Sequence, residues 1–423
     1  MTKKGQRKPK REVTKRQLSR WQQQKRRQRL ILSLGILIIA AALVIVGAGW
    51  YTTEYQPLHE TVIKVNGASF DMNYYINTLK YYGQGQPINY VYNVADEVVK
   101  IIEQNELVRQ GAEGLGITLS NDEVDKELKR RELPLSKEHI DLVRAEMLTT
   151  KLQDEYFEHQ VPLSAEQSHI LAMFLESKSQ ATAVRTKLEA DEDFGELSSE
   201  LSLESISNTK KGDLGWRPKD ALAELLTTSV PGDYAFNAQI GVLSQPIYDE
   251  AKTKGVGYWL IKVLERKESK EAHIQAMLLG SEEEAQGVRV RLGVGEDFAA
   301  LAKEFSQHQG SKENGGDLGW LTSDTISPAF DKFAFNPEVE LGTISEPIRD
   351  DNVVTKGGYW LVKLLGKDDN RKIEDDDRIL LKAKALDKWV SSLWDDPKNK
   401  IESRLDQSKK SQAILKAIRE LGQ

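Results

Sequence analysis

The sequence predicts a mixed α+β chain in which two copies of one unit stand between helical segments, behind a single apolar helix. Three observations predict it. Residues 169–216 align with 273–320 at a constant offset of 104, and 22 of those 48 positions are identical. Each copy runs to about 100 residues, a single-domain size and far longer than a solenoid unit. Residues 30–49 form a run of 20 residues without a charge.

The apolar run opens the chain's organisation. At about 1.5 Å of rise per residue it covers about 30 Å, the thickness of a bilayer's apolar core. Trp50 and Tyr51 follow at once, as an interfacial belt requires. Residues 1–29 hold 13 Lys/Arg and one acid, a charge of +12, which leaves −18 for the rest of a chain whose net charge is −6. By the positive-inside rule the basic flank stays cytoplasmic and everything after Tyr51 is exported. A cleaved signal peptide is the competing reading, but its apolar region is shorter, roughly 7–15 residues. Orienting the anchor accounts for the basic tail, so no nucleic-acid partner is expected.

The remaining elements follow from local pattern. TVIKVNG is a short strand with Asn66-Gly67 as its turn. Val94–Gly111 is amphipathic, Ser120 to Glu123 reads as a capping box, and Lys137–Glu158 as a long helix. Within each copy the order is strand, helices, glycine turn, helix, strand, strand. HILAMFL is the opening strand, Ala181–Leu188 and Phe194–Leu201 carry helical spacing, GDLGW turns on its glycines, and GYWLIKVLE closes the copy. Residues 372–423 are helical, with Leu386, Trp389, Val390 and Leu393 on one stripe. The acidic run Glu374 to Asp377 reads as solvated linker.

Several chemistries are excluded. There is no cysteine, so disulfides, thiol nucleophiles and cysteine-bound zinc are absent. His139 and His159 stand too far apart for a metal pair, and Gly293 to Gly295 is a turn without a phosphate loop's pattern. No cofactor and no metal are expected.

The repeat resembles the parvulin (PpiC-like) family of peptidyl-prolyl cis-trans isomerases. The residues that carry the resemblance are the opening His-Ile, the DF…L…S helix, GGDLGW, Ser327 to Phe335 (SPAFDKFAF) and GYWLVKL. The flanking helices are similar to those of SurA- and PrsA-like foldases. The resemblance implies two parvulin-like domains, each a small antiparallel sheet wrapped by helices, plus a helical chaperone-like domain. The expected organisation is a basic tail (1–29), a transmembrane anchor (30–51), and an N-terminal helical domain (58–164). Repeats at 165–268 and 270–368 come next, then a helical segment (371–423) that packs on the N-terminal domain.

The same resemblance assigns site residues. The pocket for a proline ring corresponds to Leu318, Ile326 and Phe330 in the second repeat, with Phe330 in a loop, and to Leu214, Leu222 and Leu226 in the first. His273 and His169 match the family's first active-site histidine; at a strand start, the alternative role is to tie neighbouring strands. Glu204 and His308 stand where the family has Cys or Asp. The closing-strand histidine is replaced by Trp259 and Trp360, and an indole donates one hydrogen bond and accepts none. Tyr359 and Trp360 are expected to extend the aromatic surface of the second repeat's groove.

The implied function is proline isomerisation on unfolded or nascent exported polypeptides, with the second repeat the more active. Rotation about an X–Pro bond crosses a barrier of about 18–20 kcal/mol and takes tens to hundreds of seconds unaided. Lowering it requires an apolar grip on the ring and polar groups that favour the twisted amide, and no cofactor. The alternative is a holdase that binds such segments without catalysis.

Overall fold

The computed structural model describes residues 41–267 and 271–422, together with Leu32 and Leu37. In chain order the elements are β1 Thr61–Val65, β2 Ala68–Asp71, α1 Met72–Gly83, α2 Ile88–Gly114, α3 Asn121–Arg130, α4 Lys137–Lys151, β3 Ser164–Leu175, α5 Lys178–Glu189, α6 Phe194–Leu201, α7 Ser205–Thr209, β4 Asp213–Arg217, α8 Lys219–Leu226 and α9 Val230–Asn237. They continue with β5 Ile247–Lys254, β6 Gly257–Arg266, β7 Ala272–Leu279, α10 Glu282–Gly293, α11 Phe298–Phe305, α12 Gln309–Glu313, β8 Asp317–Leu321, α13 Pro328–Ala334, β9 Ile348–Asp350, β10 Thr355–Lys372, α14 Asp375–Asp395, β11 Ile401–Ser403 and α15 Gln407–Glu420. Two compact units result, one running up to Leu152 and resuming from Trp389, the other Gln153–Lys388.

Of the expected membrane span, 30–51, residues 30, 31, 33–36 and 38–40 lie outside the described residues. Its last part, from Ala41 to Trp50, is helical and exposed. Among the described residues no helix is long and apolar enough to cross a membrane.

The first unit closes its core with both ends of the chain. β1 and β2 form a hairpin about Asn66-Gly67, where Asn66 adopts φ +52°. On its other edge β1 takes β11, pairing Ile63 with Ser403. The Asn66 side chain fastens the join: its Oδ1 accepts the Lys400 N–H at 2.7 Å, and its Nδ2 donates to Asn399 at 2.9 Å. In α2, Val91, Ala95, Val98, Ile102 and Leu107 are buried at helical spacing. They meet Tyr75 and Leu79 of α1 and Ala413, Ile414, Ala417 and Ile418 of α15. The Ser120–Glu123 capping box is formed on both sides.

The second unit holds two four-stranded antiparallel sheets, ordered β4-β3-β10-β5 and β8-β7-β6-β9. The closing strands are exchanged between the sequence repeats. β6, which ends the first copy, pairs with β7 and β9 of the second copy. β10, which ends the second copy, pairs with β3 and β5 of the first. Gly255-Val256, between β5 and β6, has the length of a two-residue hairpin link, yet the strands it joins lie in different sheets. The second sheet is therefore built from one contiguous stretch beginning at β6, nested between β5 and β10 of the first. Where the two links cross, Thr355 faces Lys254 in register, and the Thr355 hydroxyl donates to the Val256 carbonyl. The Lys254 amine, pulled down to about 8 by burial, donates to the Gly357 and Lys356 carbonyls.

Two local expectations are corrected. Glu374 to Asp377 is not solvated linker, because α14 begins at Asp375 and Asp377 is 1% exposed, paired with Arg217 Nη1. Acids belong in a helix's first turn, and a cation from the end of β4 makes this one bearable inside. Phe330 lies in α13, not in a loop. Pro328 opens that helix and Ser327 caps it, its hydroxyl accepting the Phe330 N–H at 3.2 Å.

Gly111 supplies a test of how the C-terminal segment docks. A Cβ built there would lie 2.7 Å from Trp389 Cζ2 and 3.1 Å from Leu393 Cδ1. Gly111→Val is expected to cost about 1–3 kcal/mol by overpacking, read as a lowered denaturation midpoint of the first unit. An unchanged midpoint would separate α2 from the end of α14.

Candidate functional site

Each repeat fastens its first helices to its opening strand through a pair of buried serines. In the second repeat Ser306 Oγ receives the Leu278 N–H at 3.2 Å and lies 2.6 Å from Ser311 Oγ. In the first, Ser202 Oγ receives the Phe174 N–H at 3.1 Å and lies 2.6 Å from Ser207 Oγ. The short helix that follows is capped by the residue in question at the family's Cys/Asp position. His308 Nδ1 accepts the Ser311 N–H at 3.2 Å, and Glu204 Oε2 accepts the Ser207 N–H at 2.6 Å. Both side chains thus do cap work whatever else they do. Glu204 is 6% exposed, with Lys252 Nζ 4.0 Å away.

The opening histidines sit elsewhere. His273 Nε2 is 2.8 Å from Asp317 Oδ1, and His169 Nε2 is 2.7 Å from Asp213 Oδ1. Each aspartate folds into the glycine turn by accepting an N–H two residues on, from Gly319 at 2.8 Å and Gly215 at 2.9 Å. The Gly319 N–H, with the His273 ring, holds the Asp317 carboxyl below the usual carboxylate range. His273 also lies 5.5 Å from the Trp320 ring, and His169 lies 5.6 Å from the Trp216 ring. The aspartates and tryptophans of the two GDLGW turns were missed as partners of the histidines. Their identity in both copies was the available signal.

Strand alternation separates these histidines from the apolar pocket. On β7, Ala272, Ile274, Ala276 and Leu278 join the cluster around Phe330, while Met277 and Leu279 join the opposite one. His273, an odd position on the same strand, faces away from the Phe330 cluster. The residues brought together around Phe330 are Trp259, at 5.1 Å edge to face, and through Trp259 the His308 ring at 5.4 Å. Leu318 and Ile326 pack on the same cluster and stay half-buried. An open cleft of about 640 Å³ runs past Leu318, lined also by Gly310, Asn314, Asp317 and Gly319.

The first repeat's equivalents are sealed. Leu214 is 1% exposed, and Leu222 and Leu226 are 0% exposed. They pack against Trp360 and Phe174. The expectation that Tyr359 and Trp360 extend the second repeat's groove is corrected, because β10 crosses into the first repeat's sheet and carries both with it. Trp360 Nε1 donates to the buried Asp249 at 3.0 Å, and Tyr359 lies 5.1 Å from Tyr248. Trp259 Nε1 donates at 3.0 Å to Asp350, which also receives the Ser327 hydroxyl at 2.5 Å. Phe330 is 0% exposed and belongs to the core of its cluster, not to an exposed surface. Among the described residues no group of side chains is placed to hold a metal ion.

Burial pushes His308 down from 6.5. A histidine whose folded pKa is depressed lends stability that is present above about 6.5 and lost as pH falls through the lower folded value. Protonation also removes the Nδ1 acceptor that caps α12. His308→Asn, which keeps a capping oxygen, should match the parent near pH 8 and overtake it in stability near pH 5. His308→Ala should cost about 1 kcal/mol at pH 8 through loss of the cap. Denaturation midpoints at the two pH values measure both; parallel pH profiles would remove His308 from the buried cap.

A family profile described as the rotamase, PPIC-type PPIase domain, matches twice, over residues 169–265 and 260–366. Among curated relatives, Chaperone SurA of Saccharophagus degradans is 29% identical over 52% of this chain and 50% of its own length. Foldase protein PrsA of Geobacillus kaustophilus is 34% identical over 23% of this chain and 33% of its own. The chain spans about half the length, or less, of these two relatives. A solved foldase protein PrsA from Streptococcus pneumoniae aligns with 86% of this chain and 94% of its own at 11% identity, with a TM-score of 0.28. Taken with the two sheets, the paired matches make residues 169–366 two domains of the parvulin, or PPIC-type PPIase, family, in a chain that is similar to SurA and PrsA over part of its length.

Proposed function

We propose that this protein is an extracytoplasmic folding factor that binds proline-containing segments of unfolded, exported polypeptides at its second parvulin repeat and isomerises them there. The observation that carries the choice of repeat is the contrast in exposure. Leu318 lines an open cleft and Ile326 is half-buried on the same cluster, while Leu214, Leu222 and Leu226 are sealed. A proline ring in that cleft meets Leu318 and Ile326 over the Phe330–Trp259 core. His308, near the Phe330 cluster through Trp259, and Asp317, which lines the cleft, are the polar groups proposed to favour the twisted amide, while His273, on the other face of β7, is proposed to hold Asp317 in place. Residues 30–51 are proposed to anchor the protein in the membrane with its repeats outside.

A second reading has its own support. The indole N–H of Trp259 is already committed to Asp350, and the indole offers no acceptor, so the family's second histidine has no chemical substitute at that position. A groove that holds peptide without accelerating rotation fits that arrangement.

Because Phe330 is core, Phe330→Ala is expected to cost about 3–5 kcal/mol of stability and is a poor probe of binding. Leu318→Ala with Ile326→Ala, both half-buried, is the better one. Loss of about 1.5–3 kcal/mol of apolar contact predicts at least about tenfold weaker proline-peptide binding by the full chain, with isomerase activity falling alongside. Unchanged affinity would remove the second repeat's cleft as the site. Weakened binding in a parent protein that shows no isomerase activity would select the holdase. The topology has a separate test: protease added to spheroplasts should digest the repeats and spare the basic tail, and protection of the repeats until lysis would reject it.

A further inference from the structure

The strands that close the two copies, GYWLIKV at Gly257 and GYWLVKL at Gly358, are nearly interchangeable in sequence. Their destinations are not. Gly257 enters the second repeat's sheet, where a Cβ would stand 2.7 Å from Thr355 Cγ2 and 2.8 Å from Leu278 Cδ1. Gly358 enters the first repeat's sheet, where a Cβ would stand 2.5 Å from Phe174 Cζ and 2.7 Å from the Leu175 carbonyl. Gly257 lets β6 pass close to Thr355 at the crossing, and Gly358 lets β10 lie close against Phe174 and Leu175 of β3. Each tryptophan two residues on then finds a buried aspartate of the receiving repeat, Trp259 on Asp350 and Trp360 on Asp249. Around the crossing Tyr258 and Arg349 converge on Glu176, with Arg349 Nη1 2.9 Å from the Tyr258 hydroxyl and 3.4 Å from the carboxylate.

We propose that Trp259, although it belongs to the first repeat by sequence, is a positioning residue of the second repeat's site, and that the unit carrying this site is the nested stretch 256–353 rather than the sequence copy 270–368. Trp259 wedges between Phe330 and the His308 ring, so it sets where that ring lies relative to Phe330. A unit cut at 270 loses this wall of the pocket, while Trp360, which would replace it in a side-by-side arrangement, sits against Leu222 and Leu226 in the other sheet. The word site here rests on the function proposed above; the strand arrangement does not, and its test uses no peptide.

The chain has no cysteine of its own, so paired cysteines report strand neighbours without background. Lys262 faces Gln275 across β6 and β7, whereas without exchange Gln275 would face Lys363. Facing residues on antiparallel strands stand about 4.5–5.5 Å apart at Cα, within a disulfide's span. In the full chain, Lys262→Cys with Gln275→Cys should close an intramolecular disulfide under mild oxidation, and Lys363→Cys with Gln275→Cys should not. Closure of the second pair overturns the proposal, as does closure of neither. Covalent dimers in place of the intramolecular bond overturn it too, since the strand would then come from a second copy. The positioning role has a spectroscopic readout: Trp259→Phe should shift the His308 ring proton resonances, identified by their loss in His308→Asn, and Trp360→Phe should leave them in place. The reverse pattern overturns it.

Discussion

The pairing of β6 with β7, only five residues apart in the chain, governs the second unit. Arg266 faces Ala272 in register, and the Lys267 N–H donates to the Glu271 carbonyl at 2.9 Å. Local closure favours this pairing. Pairing β6 with β3 would close a loop of about eighty residues instead of five, about four doublings and so roughly 2 kcal/mol of extra closure entropy. The price falls on β3 and β10, whose loop is about one doubling longer than in a side-by-side arrangement, roughly 0.6 kcal/mol. The hairpin therefore wins, and everything downstream of it is placed by that choice. The second sheet becomes contiguous, the first becomes discontinuous, and each closing tryptophan works in the neighbouring repeat.

The buried polar groups agree with this arrangement. Asp249 and Asp350 occupy equivalent positions in the two copies, and each is almost fully buried. Burial raises the cost of the Asp350 charge, but hydrogen bonds from Ser327, the Asn352 backbone and Trp259 outweigh it and hold the carboxyl below its usual range. Thr228 plays Ser327's part for Asp249, at 2.6 Å. A buried carboxylate left without such donors would be costly. The indole N–H that stands where the family has histidine is thus structural in both repeats, committed to Asp350 and to Asp249.

Much of the secondary structure was legible. Phe194–Leu201, the Ser120 capping box and the Asn66-Gly67 turn were each specified by neighbours within four residues, and local rules reach that far. Phe330 was placed in a loop because Pro328 reads as a breaker. At the first position of a helix, however, proline loses nothing, and Ser327 supplies the cap. The acidic run at Glu374 was read as linker because its partner, Arg217, lies 160 residues away. Of the candidate site, the half-buried Leu318 and Ile326 were found by resemblance, whereas the separation of His273 from Phe330 depends on which face of β7 each occupies.

By itself the sequence determined that there are two copies, that each opens and closes on a strand with a helix like Phe194–Leu201 between, and that the closing strands carry tryptophan where the family has histidine. These are properties of local pattern and of self-similarity, and they need no partner to be read. Only the tertiary structure decided which sheet each closing strand enters. GYWLIKV and GYWLVKL present the same alternation, the same glycine and the same indole, so side-chain complementarity is nearly equal in either sheet. The decision passed to chain connectivity, to the five-residue separation between β6 and β7 and to two links that cross at Lys254 and Thr355, and no composition or period records it.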